Sequence, residues 1–286
     1  MRQIVIIGNS AAATSAAQAL RERDKDSRIV LVTDEPFLGY ERPHVLKLLD
    51  GKMKERDLIF RSKDFYANFG LELLNGKKVV GVSAHRRRLH FKDDESLDFD
   101  NLVIASGRRV ALPSLKGIQK EGVVGLNGLV EVKFIMDYLP ICHTVLVVGA
   151  GPVAHELVRI LAARRLDVKF FGTLETAVEG VEAISDNPII EVLGDSELKA
   201  VRLASQKVLG ASLLVFAGAK EANVDFIRDT DIEINRGVLV DASLRTSIPY
   251  IFAVGDVAEP REGAWQEGWE EARRQGEMLG GFLCQI

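Results

Sequence analysis

Two turns in the sequence carry the residue types that phosphate chemistry needs. "VVGAGPVAHE" runs from an apolar segment, Val145 to Val148, through Gly149, Ala150 and Gly151 into a helix-like stretch. Glycines there let the backbone turn tightly and approach a ligand, while a helix N-terminus aims its unpaired N–H groups at phosphate oxygens. Gly149 makes the turn, Gly151 allows close approach and Ala154 packs helix on strand. Pro152 sits in the first helical turn, where its missing N–H costs nothing. The G-x-G-x-x-A spacing suits a dinucleotide pyrophosphate, although a plain strand-to-helix turn also uses glycines. Near the N-terminus, "IIGNSAAATS" keeps Gly8 and places Ser10 and Ala13 at the second and third glycine positions. Ser10 is small, and its hydroxyl can itself bond a phosphate. Taken alone, this turn is balanced between a phosphate site and a structural turn.

Other chemistries find little support. Cys142 and Cys284 are the only cysteines and form no CxxC pair, so neither a metal cluster nor a local redox disulfide is expected. His44 and His155 have no partner that spacing can name and are read as packing residues. The 286 residues contain 37 basic and 41 acidic side chains, a net charge of -4, which argues against a nucleic-acid binder. The densest basic run, Arg86-Arg87-Arg88, reads as a solvated hairpin turn. No apolar run is long enough for a membrane span, and the N-terminus lacks a secretory apolar region, so a cytoplasmic protein is expected.

The elements that must position these turns alternate between strand and helix, which points to an α/β protein. Ile4 to Ile7 reads as a strand buried on both faces, Ala11 to Arg23 as a helix and Arg28 to Thr33 as a strand. A proline-bearing loop, "DEPFLGYERP", leads to a short helix from Val45 to about Asp50. Ser62, with Phe65 to Phe69 behind it, suggests a further capped helix. Leu71 to Phe99 reads as an antiparallel meander, and Asn101 to Ala105 as a buried strand ending at Ser106-Gly107. The connection "ALPSLKG", residues 111–117, marks a domain boundary. A second strand–turn–helix–strand unit runs from Thr144 to Phe171, so the chain duplicates one βαβ motif. Apolar strands at Leu213 to Ala217 and Tyr250 to Val254 also end at glycines.

With these motifs in place, the sequence resembles the pyridine nucleotide-disulfide oxidoreductase superfamily. It is most similar to the branch of FAD-dependent NAD(P)H oxidoreductases that includes rubredoxin and ferredoxin reductases and the nitrite reductase flavoprotein. The resemblance rests on "IVIIGNSAAATSAAQALRE", "IVLVTDEPFLGYERPHVLK", "NLVIASGRR", "VLVVGAGPVAHE", "GVLVDASLRTSIPYIFAVGDVAE" and "WQEGWEEARRQGEMLGG", in family order from residue 2 to 281. It implies two Rossmann-like domains, three-layered, with parallel sheets and antiparallel meanders. One is a discontinuous FAD domain, residues 1–113 and 243–286; an NAD(P)-type domain, residues 114–242, is inserted in it.

The resemblance also implies a site. Gly8, Ser10, Ala11 and Ala13 would face the FAD pyrophosphate, and Asp34 or Glu35 would bond the adenosine ribose. Arg42 would flank the flavin and pyrophosphate, followed by Pro43, with Lys47 near the flavin ring. Val80 would meet the adenine through its backbone, and Ala105, Ser106 and Gly107 would close over the cofactor. Asp256, after Gly255, would bond the ribityl region, and Trp265 would match a tryptophan at the start of the final helix. Gly149, Gly151 and Ala154 would serve NAD(P)H, with Glu156 close to the nicotinamide.

The departures from the family pattern bear on function. The acidic residue expected at the end of the second strand of the NAD(P) unit is Gly172, no arginine follows for a 2′-phosphate, and Glu175 is the nearest substitute. A strand at Val181 to Ile184 leaves only residues 172–180 for the crossover. As helix those would span about 13 Å, too little for a crossover with loops. A reduced nicotinamide site is therefore expected. Leu46 stands where coenzyme A-disulfide reductases and NADH oxidases carry a cysteine, so disulfide reduction through a protein thiol is not expected. The sequence also stops where relatives enter a C-terminal dimerisation domain, which implies either a short form or a fragment. Two functions follow: an enzyme passing electrons from NAD(P)H through FAD to an iron–sulfur or rubredoxin-like protein, or an FAD-containing subunit of a larger electron-transfer complex. A non-catalytic FAD-stabilised module is a third, without a feature that speaks for it.

Overall fold

The computed structural model describes residues 1–284. It begins with β1 (Gln3–Ile7), α1 (Ala11–Arg23) and β2 (Arg28–Thr33), then three short helices, α2 (Val45–Leu49), α3 (Glu55–Leu58) and α4 (Lys63–Asn68). Strands β3 (Leu71–Asn75), β4 (Val79–Ser83), β5 (Arg88–Phe91), β6 (Ser96–Asp98), β7 (Asn101–Ile104), β8 (Arg108–Val110) and β9 (Val123–Gly125) lead to α5 (Leu129–Tyr138). Next come β10 (Thr144–Gly149), α6 (Gly151–Ala162), β11 (Asp167–Phe171) and β12 (Val181–Ile184). They are followed by β13 (Ile189–Leu193), β14 (Ala200–Leu203), β15 (Val208–Gly210), β16 (Leu213–Ala217) and β17 (Lys220–Ala222). Last are β18 (Val238–Val240), β19 (Ile251–Ala253), β20 (Ala258–Pro260) and α7 (Trp269–Leu283).

Contacts divide the chain into two units. The first holds Met1–Pro43, Glu55–Arg108 and the chain from Glu221 onward; the second holds His44–Lys54 and Arg109–Lys220. The sequence division runs five residues too far at the first domain boundary, ending at 113 rather than Arg108, and differs in two larger places. It put the return to the first domain at residue 243, yet Val224, Ile227, Ile232, Val238 and Val240 are buried in the first unit's core. It also left residues 44–54 in the first domain, whereas α2 packs on α5 and α6. No shift in composition marks either crossing.

The first unit is built on a parallel sheet ordered β19-β7-β1-β2-β3. Its central strands are apolar on both sides, with Ile4, Val5, Ile6, Val30, Leu31 and Val32 fully buried. Ile4 pairs with Ile29 on one side and Asn101 on the other. The expected meander from Leu71 is shorter than its sequence suggested. Leu71–Asn75 joins the parallel sheet beside β2, and only β4, β5 and β6 are antiparallel. An edge strand buried on one face has the same pattern in either direction, so sequence does not distinguish the two. Ser62 stands at the N-cap of α4 as expected, but its side chain makes no cap hydrogen bond. α1 and α7 pack through small residues: a Cβ at Gly276 would overlap the Ala12 carbonyl, and one at Gly280 would overlap Ala19.

The second unit has a parallel sheet ordered β12-β11-β10-β16-β9 and an antiparallel sheet of β13, β14 and β15. Val145, Leu146, Val147, Leu213, Leu214 and Val215 are fully buried. β11 pairs parallel with β12, from Val168–Val181 to Phe171–Ile184, and no helix occurs in residues 172–180 between them. The reduced crossover expected from length is therefore present. β9 and α5 lie in a stretch where the sequence reading assigned no element.

Candidate functional site

In the first unit, the residues singled out by the glycine turn and the resemblance gather at the carboxyl ends of the parallel strands. Gly8 follows β1, Asp34 and Glu35 follow β2, Ala105 to Gly107 follow β7, and Gly255-Asp256 follow β19. The chain runs from β1 through β2 to β3 on one side, while β7 and β19 lie on the other. A switch of that kind opens a crevice beyond the strand ends, where α/β folds take ligands.

The backbone there is closely packed and lined by short side chains. Gly8 has φ +128°, and a Cβ on it would overlap the Ala105 carbonyl oxygen. Ser10 is the N-cap of α1, but its hydroxyl caps no backbone N–H. Ala11, Ala12 and Ala13 are buried, and the first turn of α1 has no acidic side chain to oppose an anion. Asn9, which sequence reasoning passed over, braces the turn: its side-chain amide donates to the Phe37 carbonyl at 3.3 Å, and its Oδ1 accepts from the Tyr66 hydroxyl at 2.8 Å.

The other sequence candidates are placed unevenly. Asp34 is exposed, whereas the Glu35 carboxylate accepts from the Arg42 guanidinium at 2.5 Å. That ion pair leaves Asp34 as the exposed carboxylate after β2. Arg42 also stacks on Tyr40 at 5.2 Å, and Pro43 behind it is exposed. Val80, on β4, is 49% exposed. Ala105 donates its N–H to Ile7, and the Ser106 hydroxyl donates to the Asn223 carbonyl at 2.8 Å, which holds the segment before Gly107. Gly255 donates to Gln275 Oε1 of α7 at 2.8 Å, and Asp256 Oδ1 accepts from Gly268 N–H, at the N-cap of α7, at 3.0 Å.

Trp265 requires a correction. The tryptophan that starts the final helix is Trp269, which packs edge-on against Phe60 at 5.1 Å. Trp265 lies in the loop before it, between the guanidiniums of Arg108 and Arg236 at 5.0 and 5.2 Å, with its ring against Gly237. "WQEGW" offers two tryptophans one helical turn apart, and only the intervening Gly268, as N-cap, marks which begins the helix.

In the second unit, α6 begins beyond β10 as the motif requires. A Cβ on Gly149 would come within 2.9 Å of Ala154 Cβ and overlap the Ala217 carbonyl, while Gly151, with φ +77°, faces open space. Pro152 lies in the first turn of α6. Lys47, expected near the flavin ring, and Glu156, expected near the nicotinamide, are not joined by an ion pair. Lys47 is half-buried on α2, and Glu156 is exposed on α6. Asp50 and, more weakly, Glu156 hold the Lys52 ammonium above its usual range. Gly172 stands at the end of β11, and His155 Nε2 lies 3.0 Å from the Thr173 carbonyl beside it.

A family model for pyridine nucleotide-disulphide oxidoreductases matches residues 2–276. The chain belongs to that family. Over 89% of its length it is 30% identical to the benzene 1,2-dioxygenase system ferredoxin–NAD(+) reductase subunit of Pseudomonas putida, of which it spans 67%. Over its whole length it is 23% identical to the assimilatory nitrate reductase electron transfer subunit of Bacillus subtilis, of which it spans 39%. The fold superposes with a TM-score of 0.86 on the reductase in a covalent putidaredoxin reductase–putidaredoxin complex, at 21% identity, covering 99% of this chain and 75% of that one. FAD-dependent oxidoreduction with NAD(P)H is the chemistry of this family. The cradle around Gly8, with its uncapped Ser10 hydroxyl and short side chains, fits the FAD pyrophosphate. Among the described residues no helix is long and apolar enough to cross a membrane.

Proposed function

We propose that the protein carries electrons between a reduced nicotinamide nucleotide and a small one-electron carrier of the iron–sulfur or rubredoxin type. The observation that carries this reading is the pair of glycine turns, each at the carboxyl edge of its own parallel sheet. Gly8, Ser10, Ala11 and Ala13 would hold the FAD pyrophosphate against α1, with Asp34 at the adenosine ribose and Ala105, Ser106, Gly107 and Asp256 closing the other side. Bound FAD supplies the exchange between a hydride donor and a one-electron acceptor. The protein's own contribution is orientation and electrostatics. α1 directs its N-terminal N–H groups at the pyrophosphate, and the Glu35–Arg42 pair fixes a cation beside the strand ends. Gly149, Gly151 and Ala154 would present α6 to the nucleotide in the same way, with Lys47 near the flavin ring and Glu156 toward the nicotinamide.

A second reading is an electron-transfer subunit whose flavin is reduced by another protein. The helix-free connection at 172–180 and Gly172 at the end of β11 favour it. Anaerobic titration of the flavin-loaded protein separates the two. Bleaching of the oxidised flavin band by micromolar NADH or NADPH is expected for the first reading. Failure at millimolar nucleotide, with dithionite still bleaching the flavin, would overturn it in favour of the second.

A further inference from the structure

The end of β11 is closed on itself. In this fold the residue there meets the adenosine ribose of a bound dinucleotide, usually through a carboxylate that accepts from both hydroxyls. Here it is Gly172, and the position cannot carry a side chain. A Cβ would overlap the Gly149 carbonyl oxygen and lie 2.7 and 3.0 Å from ring carbons of Phe170, a fully buried side chain. The neighbouring backbone groups are already taken. Gly172 N–H donates to the Ile184 carbonyl of β12 at 3.2 Å, and the Thr173 carbonyl accepts from His155 Nε2 at 3.0 Å. The imidazole is further held edge-on to Phe170 at 5.8 Å. Residues 172–180 contain no lysine or arginine for a 2′-phosphate, and their two carboxylates, Glu175 and Glu179, are exposed and stand three and seven residues beyond Gly172 rather than at the strand end where the ribose is met. By contrast, the turn before α6 is intact, with Gly151 facing open space.

We infer that the second unit binds the nicotinamide and phosphate portion of its nucleotide and leaves the adenosine ribose unrecognised, so that nicotinamide mononucleotide binds about as well as the dinucleotide. This rests on the reading of the second glycine turn as a nicotinamide nucleotide site. A carboxylate–ribose contact is worth roughly 10- to 150-fold in affinity, and that increment is what the closed strand end forgoes. NADP(+) gains nothing over NAD(+), because no cation awaits its extra phosphate.

The test is calorimetric titration of the flavin-loaded protein with oxidised NAD(+), NADP(+), nicotinamide mononucleotide and 5′-AMP. The expected result is dissociation constants for the first three within about tenfold of one another, where a recognised ribose would exceed that span. 5′-AMP should displace none of them. Dinucleotide binding more than tenfold tighter than mononucleotide binding, or displacement by 5′-AMP, would overturn the inference and leave the nucleotide reading standing. Absence of binding by all three up to millimolar concentration would overturn the nucleotide reading and the inference together.

Discussion

Glu259, on β20, is 4% exposed and its carboxylate is surrounded by donors. Its oxygens accept from Arg236 N–H and Gly237 N–H at 2.8 Å each, from the Asn235 side-chain amide at 2.9 Å and from the Arg236 guanidinium at 3.2 Å. Burial pulls its pKa upward, but the Gly237, Asn235 and Arg236 donors outweigh burial and hold the carboxyl below the usual glutamate range. The same residues support Trp265, since Arg236 stacks on its ring and Gly237 lies under it. Glu259→Gln should therefore lower stability at neutral pH by about 1.5–3 kcal/mol, the range for a hydrogen-bonded charge. The sign with pH is fixed by the depressed value. The contribution is complete above about 4.3, the unfolded value, and is lost as pH falls through the lower folded value. Urea midpoints of wild type and variant should thus converge on acidification; a difference that grew would contradict the assignment. Glu259 was not legible in the sequence, because its burial depends on β18 pairing with β20 across an intervening strand. The positions of Gly8 and Gly255-Asp256 were legible, because a glycine closes each apolar run, Ile4 to Ile7 and Tyr250 to Val254. The ion pair that occupies Glu35 was not, since two candidate carboxylates in "TDEP" carry no mark of which one a later arginine will reach.

The packing of α7 on α1 depends on close approach of small residues along one face of each helix. Gly280 lies against Ala19 and 2.9 Å from the Leu20 nitrogen by the position its Cβ would take, while Gly281, one residue on, faces nothing within 4 Å. The two glycines thus predict opposite outcomes for the same substitution. Gly280→Ala should overpack the interface and cost about 1–3 kcal/mol. Gly281→Ala should be neutral or stabilise by up to about 1 kcal/mol, through helix propensity alone. Thermal melts of the two variants decide it, and equal shifts would show that the helices do not meet as described. At this scale the sequence was informative where length constrains geometry. Residues 172–180 are too few for a crossover helix, and none forms. It was uninformative for β3, whose half-buried pattern suits a parallel edge strand and a meander strand alike. It also missed α5, whose apolar residues spread around the helix rather than marking one face.

At the scale of the molecule, one βαβ motif appears twice, and the two copies differ in what their strand ends offer. The duplication was visible from the two strand–turn–helix–strand units, while the boundaries were not, because residues 44–54 and 221–242 change unit without a change in composition. The first copy has a tight glycine turn at Gly8, an exposed carboxylate at Asp34 and an N-cap Ser10 whose hydroxyl caps nothing; the second has its glycine turn at Gly149 and Gly151 but a closed strand end at Gly172. If the first sheet serves FAD and the second a nucleotide, the two glycine turns should fail independently. Gly8→Ala forces a side chain to adopt φ +128° against the Ala105 carbonyl, a strain of about 1–3 kcal/mol before the overlap is counted. That variant should be purified without flavin, and added FAD should not raise its melting temperature. Wild-type protein stripped of flavin should gain about 4 kcal/mol from FAD at a thousand times its dissociation constant. Gly149→Ala presses on Ala154 and the Ala217 carbonyl instead, so it should keep its flavin absorbance while losing calorimetric nicotinamide nucleotide binding. Circular dichroism on both variants separates loss of a ligand from loss of the fold. Flavin loss from Gly149→Ala with retention by Gly8→Ala would reverse the assignment of the two sheets.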